Sequence, residues 1–194
     1  MKDGTKGDYE LLSELEKPHL AGTADRLLGE LAKQEDETLT GYKVTRLEHA
    51  LQSATRAHRE GADIDWVVAA LLHDIGDGLA PQNHDKFAAE IIRPFVREEC
   101  TWVVANHGLF QTYYYGHHHG WDRNERDCLQ DHPSYRACVD FCERWDQASF
   151  DPDYGSEPLA FFAPMVREVF AREAYDPDVV QEGVARGLPA LETA

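Results

Sequence analysis

Apolar residues along this chain keep a helical rhythm and nowhere the alternation of a strand. From Asp63 to Ile75, the residues Ile64, Val67, Val68, Leu71, Leu72 and Ile75 recur at helical offsets, which predicts a strongly amphipathic helix capped by Asp63 or Asp65 and ended by Gly76. Leu47, Leu51, Ala54 and Ala57 predict a second helix over Thr45 to Arg59, with Gly61 as its C-terminal cap. A polar turn from Asp77 to Asn83 leads into a helix from about His84 to Ile92, stopped near Pro94.

Glu98 to Leu109 reads as a further helix. The run TYYYGHHHGWDRNERD that follows it reads as a loop or lid. Asp131 or Ser134 can cap a long helix through Tyr135, Cys138, Val139, Cys142, Trp145 and Asp146, and Leu159 to Phe170 predicts a last helix interrupted at Pro164. Residues 1–37 are charged and weakly periodic, with short helices around Leu11, Leu12 and Leu15 and around Leu27, Leu28 and Leu31. The expected architecture is all-α, a bundle of about six or seven helices. A partly ordered N-terminal segment (1–37) would precede a single metal-binding domain (38–194).

A length of 194 residues is enough for one domain with a continuous core. A formal charge of -17 repels phosphate backbones and anionic lipid, so neither a nucleic acid nor a membrane surface is an expected partner. The longest apolar stretch, Trp66 to Leu72, is far below the ~20 residues that span a bilayer, and Met1 to Glu10 is polar. A cytoplasmic protein is expected, with Cys100, Cys128, Cys138 and Cys142 reduced and the Cys138/Cys142 pair serving packing rather than redox chemistry.

The chemistry sits in side chains that bind metals. His49, His73, Asp74, His84, His107 and Asp146 fall on four or five predicted helices or their ends. Imidazoles bind first-row transition ions through one nitrogen, and a carboxylate can bridge two ions, so four histidines and two aspartates suit a dinuclear centre. Asp74 is the expected bridge. His19, His58 and His132 read as surface residues, and the adjacent His117, His118 and His119 as a polar loop.

The segments LEHALQSA, LLHDIGD, NHDKFAAE, ANHG and RWDQAS, which carry these six residues, resemble the HD-domain superfamily over roughly residues 40 to 150. Most members are metal-dependent phosphohydrolases; the form with six ligands also occurs in diiron oxygenases. The chain is most similar to the phosphonate-degrading branch, which opens C–P bonds with dioxygen. That resemblance implies that His49, His73, Asp74 and Asp146 hold one iron and Asp74, His84 and His107 the other, as an Fe(II)/Fe(III) pair with O2 as co-substrate. It implies a small organophosphonate substrate, (R)-1-hydroxy-2-(trimethylammonio)ethylphosphonate, converted to glycine betaine and phosphate.

Departures from the branch member that acts on the primary amine, 2-amino-1-hydroxyethylphosphonate, bear on the substrate. Asp77 stands four residues after His73, where many members have histidine, and Gln111 stands four after His107, where that member has lysine. Both remove positive charge near the metals, which suits a permanent cation held by a carboxylate and by aromatic faces such as Tyr113 or Trp145; Asp77 equally suits a turn before Pro81. Where that member has a tyrosine and a glutamate, this chain has Leu39 and Tyr42. Tyr42, Asp77, Gln111 and Arg123 are therefore the expected substrate-binding residues, with Arg126 and Arg46 as further partners for the phosphonate. Catalysis is expected from the metal ligands alone. The competing functions are a phosphohydrolase, an oxygenase for the primary amine, and a metal-stabilised sensing module. Oligomeric state is not encoded legibly.

Overall fold

The structure, a computed structural model, describes residues 2–36 and 41–191. The expected division between residues 37 and 38, and the position of Leu39, lie outside the described residues. Among the described residues there is no strand, and eight α-helices follow one another: α1 (Lys6–Ala21), α2 (Thr23–Lys33), α3 (Arg46–Arg59), α4 (Ile64–Leu72), α5 (His84–Ile92), α6 (Glu98–Tyr115), α7 (Tyr135–Phe141) and α8 (Leu159–Phe170). Since α1 buries none of its residues, seven helices build the bundle.

Local chemistry sets the ends of α3 and α4. Thr45 Oγ1 accepts from the Glu48 N–H at 3.0 Å while the Glu48 carboxylate accepts from the Thr45 N–H at 2.6 Å, a reciprocal capping box. At the other end Gly61 adopts φ +77°, and the Ala62 and Gly61 N–H groups turn back to the Ala57 and His58 carbonyls, each at 3.0 Å. That pairing is a Schellman stop, and it needs a residue that tolerates the left-handed region. Asp63 then caps α4 by accepting from the Trp66 N–H at 3.2 Å.

Helix α4 is the axis of the bundle. Asp65 through Leu72 are all buried, so the helix is surrounded on every side, with α3, α6 and α8 packed against it. Its one buried acid, Asp65, accepts from the Arg97 N–H at 3.0 Å and from Arg172 at 2.7 Å, which ties the start of α4 to the start of α6 and the end of α8. Around the lower half, Trp66, Phe141 and Trp145 pack edge to face or tilted, with centroids 5.7–6.3 Å apart. Glu60, at the C-terminal cap of α3, accepts from Trp145 Nε1 at 2.7 Å and pairs with Arg144, so α3 is fixed to the segment after α7.

Four expectations change. Helix α6 does not stop at Leu109 but runs to Tyr115, because no glycine or proline that could end it intervenes before Gly116. The three tyrosines are therefore helical, and the expected lid shortens to the turns over 116–129. Gly108, which might have weakened α6, is where α5 comes close: a Cβ there would lie 3.4 Å from the Asp85 carboxylate. Second, α8 is unbroken. Pro164 faces solvent while Phe162, Val166, Val169 and Phe170 hold one buried face across it. Third, α2 packs into the core and is not merely a charged, weakly periodic stretch, with Ala24, Leu28 and Leu31 buried there and Gln34 Nε2 donating to the Ile75 carbonyl at 3.3 Å. Fourth, the helix expected to run from Tyr135 to Asp146 is α7 followed by one widened turn over Cys142–Asp146, closed by the Gln147 N–H to the Cys142 carbonyl at 2.8 Å.

All four cysteines are unpaired, with Cys100, Cys138 and Cys142 buried. Cys138 and Cys142 donate weakly to the carbonyls of Val103 and His107 at 3.7 and 3.8 Å, consistent with the packing role. No helix among the described residues is long and apolar enough to cross a membrane.

Gly76 gives a stability prediction. A Cβ there would lie 2.7 Å from Phe87 Cδ1 and 3.1 Å from its Cβ, so Gly76→Ala must push α5 outward and is expected to cost about 1–3 kcal/mol. Thermal melting of the metal-free protein reads this, and an unchanged Tm would show that Phe87 simply swings aside.

Candidate metal centre

Helix α4 ends at the point where its two candidate metal-binding residues begin. His73 is its C-terminal cap and is fully buried. Asp74 follows in a tight turn closed by the Asp77 N–H to the Asp74 carbonyl at 3.0 Å. His49 comes from the second turn of α3, His84 from the first residue of α5, His107 from the middle of α6, and Asp146 from the last residue of the widened turn after α7. All six converge.

Each imidazole is oriented in the same way, by a backbone carbonyl on its Nδ1. The partners are Ser149 for His49 (3.0 Å), Ala70 for His73 (2.8 Å), Pro81 for His84 (3.2 Å) and Val104 for His107 (2.7 Å). A carbonyl can only accept, so Nδ1 carries the proton and Nε2 presents a lone pair to the centre when the ring is neutral. The four Nε2 atoms meet in two pairs, His49 with His73 at 3.1 Å and His84 with His107 at 3.3 Å.

Asp74 lies between the two pairs. Its Oδ2 is 3.4 Å from His49 Nε2 and 3.5 Å from His73 Nε2, while its Oδ1 is 3.3 Å from His84 Nε2 and 3.1 Å from His107 Nε2. Asp146 joins the first pair alone, with Oδ1 3.4 Å from His49 and 3.6 Å from His73. Its Oδ2 is buried without a hydrogen-bond partner.

This donor set fits metal ions. Atoms sharing one ion at about 2.1 Å each lie roughly 3.0–3.4 Å apart, the spacing seen here. Two imidazole lone pairs in contact repel unless a cation or a proton lies between them, and an orphaned buried carboxylate oxygen asks for the same remedy. The sets His49, His73, Asp146 and His73, Asp74, His107 each bring three donors within reach of a single ion, and Asp74 offers one oxygen to each side. Nitrogen and carboxylate donors of this kind suit iron, manganese, cobalt or zinc.

With protons in place of metal ions, burial opposes a charge on His49, but hydrogen bonds and charge from Asp146 and Asp74 outweigh it and lift the ring to about 10. His73 is raised against its burial by the same two carboxylates. Burial would raise Asp74 and Asp146, but their imidazole neighbours hold Asp74 well below the usual carboxylate range and push Asp146 down as well. The carboxylates thus stay ionised, ready to bind a cation.

A cavity of about 250 Å³ opens onto Asp74, His49 and His84, walled by Tyr42, Val44, Thr45, Arg46, Asp77 and Phe150. A wider lobe of about 620 Å³ adjoins it and adds His107, Gly108, Gln111, Tyr115, His119, Asp146 and Gln147. Asp74 and His84 keep 25% of their side chains open while His73 keeps none, so a small molecule reaches the centre from the His84 side.

Of the residues expected around the substrate, Tyr42, Asp77 and Gln111 line this cavity and Arg123 does not. Arg123 stacks on the Tyr113 ring with its guanidinium 4.1 Å from the centroid, and Arg126 stacks there at 3.8 Å. Asp77 is ion-paired with Arg46 and lies 3.8 Å from His84 Nδ1, so its carboxylate is engaged. Tyr113 and Trp145, the aromatic faces expected beside the substrate, point elsewhere: Trp145 is fully buried and Tyr113 carries the two arginines. Tyr42, Tyr115 and Phe150 line the lobes instead. Phe150 stacks on His49 at 4.3 Å and meets Tyr42 at 5.4 Å. Phe150 carries no sequence signal, and Ser149, although it ends RWDQAS, acts through its carbonyl, whose role depends on the path of an irregular segment. His119 lines the outer lobe; His117 and His118 are exposed beside it.

The model of the HD domain matches residues 46–140. Over 92 residues, 42% of this chain and 47% of the relative, the sequence is 33% identical to a [1-hydroxy-2-(trimethylamino)ethyl]phosphonate dioxygenase (glycine-betaine-forming) of Leisingera caerulea. It is 32% identical over 92 residues, 41% of this chain and 46% of the relative, to a hydroxymethylphosphonate dioxygenase of Gimesia maris. The chain spans about half the length of the curated relatives it matches.

Proposed function

We propose that the protein is a diiron oxygenase that cleaves the C–P bond of a small hydroxyphosphonate, a reading supported by the match of the HD-domain model to residues 46–140. The substrate we propose is (R)-1-hydroxy-2-(trimethylammonio)ethylphosphonate, with glycine betaine and phosphate as products. The observation that carries the reading is Asp74, whose two oxygens each face their own pair of imidazoles at 3.1–3.5 Å. A site for a single ion has no use for that arrangement. Both relatives are named as phosphonate dioxygenases, which supports oxidative chemistry over hydrolysis.

Two irons bound here would supply redox chemistry with dioxygen and a charge that attracts an oxyanion. His49, His73 and Asp146 hold the buried side, Asp74 joins the two sides, and His84 and His107 hold the side that meets the cavity. The four carbonyl hydrogen bonds keep the imidazoles from turning as ligands come and go. Phe150, stacked on His49, shields that ring from water at the mouth. Tyr42, Tyr115 and Phe150 give the cavity aromatic surface, to which a trimethylammonium group binds by cation–π attraction at a typical gain of about 0.5–2 kcal/mol.

The test is phosphate release by iron-loaded protein, in air and under argon, from the trimethylammonio substrate, its primary-amine analogue and hydroxymethylphosphonate. Release in air only, fastest from the trimethylammonio compound, is the expected result. Fastest release from another phosphonate would keep the oxygenase and change its substrate. Release from none of the three, with two irons confirmed per chain, would sink the phosphonate reading and turn attention to phosphate esters.

A further inference from the structure

We propose that Arg46 is the residue that holds the substrate's phosphonate oxyanion beside the metal centre. The inference rests on the phosphonate reading for the identity of the ligand, but its geometry serves any tetrahedral oxyanion.

Arg46 is the first residue of α3. Its side chain is only 17% exposed, lines the cavity with His49, Asp74 and His84, and pairs with Asp77 across the mouth. Among the described residues that line either lobe, it is the one lysine or arginine. The other arginines that the sequence suggests, Arg123 and Arg126, line neither lobe and stack on Tyr113.

Charge makes such a residue necessary. The chain carries a formal charge of -17, and Asp74, Asp77 and Asp146 all line the two lobes. A phosphonate with close to two negative charges meets repulsion on approach, and the charge of any bound ions is partly spent on Asp74 and Asp146. A guanidinium offers five N–H donors in a planar fork whose shape matches two oxygens of a phosphoryl group. Asp77 holds that fork at the wall, so the cation stays at the mouth instead of extending into solvent. Gln111, neutral where a close family member has a cation, leaves this role open on the other side of the cavity.

Calorimetric titration of iron-loaded protein with inorganic phosphate tests the proposal, with iron counted per chain in every sample. Arg46→Met is expected to weaken phosphate binding roughly tenfold to hundredfold with iron content unchanged, and Arg46→Lys to recover part of the loss. Arg46→Gln, which keeps a polar stem, stands in should the methionine variant fold poorly. Phosphate affinity within twofold of the wild type in a neutral variant that retains two irons overturns the inference and leaves the metals as the sole anion site. The two readings fail separately. Phosphate binding that depends on Arg46, in a protein that releases no phosphate from any phosphonate in air, supports the oxyanion role and overturns the phosphonate reading.

Discussion

Replacing Asp74 by asparagine is expected to empty both halves of the centre and lower turnover by about 10³-fold or more. Asp146 approaches only His49 and His73, and His84 and His107 pair with each other. Asp74 alone has an oxygen within 3.5 Å of all four imidazoles. A carboxamide keeps its size but has one oxygen and a donor nitrogen, so it could not serve two ions, and it would remove the charge that eases their mutual repulsion. His84→Ala makes the contrast, because it strips only the open side and is expected to leave about one ion per chain. Metal analysis of the purified variants separates the cases. Two ions retained in the Asp74→Asn protein would show that the bridge is not the organising residue and that the centre is not dinuclear in the manner described.

The second large effect is one of pH. Without metal, the buried centre is balanced by protons on its imidazoles, and His49 is lifted from 6.5 to about 10 by Asp146 and Asp74 against the opposing effect of burial. A group whose pKa is raised on folding adds stability that is complete below its unfolded value and is lost as pH climbs through its folded one. Metal-free protein should therefore lose stability between pH 6.5 and 10, on the order of 5 kcal/mol in all, or roughly 10–20 °C in Tm for a chain of this size. At the acid end Asp74 and Asp146, depressed on folding, contribute stability that persists above the ordinary carboxylate range and disappears as pH falls through their lowered values. The loaded protein should behave differently, because ions compete with protons for the same nitrogens and bind more tightly as pH rises. The gap in Tm between loaded and metal-free protein should widen from pH 6.5 upward. A metal-free Tm that stays flat over that interval would contradict the charge balance described here.

The helices that frame the centre were legible because they obey simple rules. Asp63, Gly61 and the apolar repeat from Ile64 mark α3 and α4, although α4 gives way to turns at His73 and not at Gly76, and His84–Ile92 begins and ends where its turn residues and Pro94 require. The six converging residues carry a sequence signal in the helix-end pair His73-Asp74 and in the segments that resemble the HD superfamily. What escaped depends on tertiary contact. The stretch Thr112 to Tyr115 holds no glycine or proline to stop α6, but tyrosine is acceptable in either state, so packing against the 116–129 turns decides that the helix continues. Pro164 looked like a break, yet the buried faces on both sides of it outweigh one lost hydrogen bond. Arg123 looked like a substrate contact from its place in a charged segment, whereas its guanidinium finds the Tyr113 ring. The cavity walls were the least legible part, because Phe150, Gln147 and Ser149 reach the centre through an irregular segment whose course has no periodicity to read.

The widened turn at Cys142–Asp146 also sets a ruler on this chain. A regular helix advances 100° per residue, so the extra residue held in that turn moves everything after it by more than a quarter of a revolution. Removing any one residue from 142–145 should relax the turn to ordinary pitch and aim position 146 away from the imidazoles, although composition and hydrophobicity would hardly change. Tolerance to deletion in this stretch should accordingly be far lower than tolerance to substitution at its exposed member, Glu143. When new variants of this scaffold are built, the number of residues between Phe141 and Asp146 is the dimension to conserve.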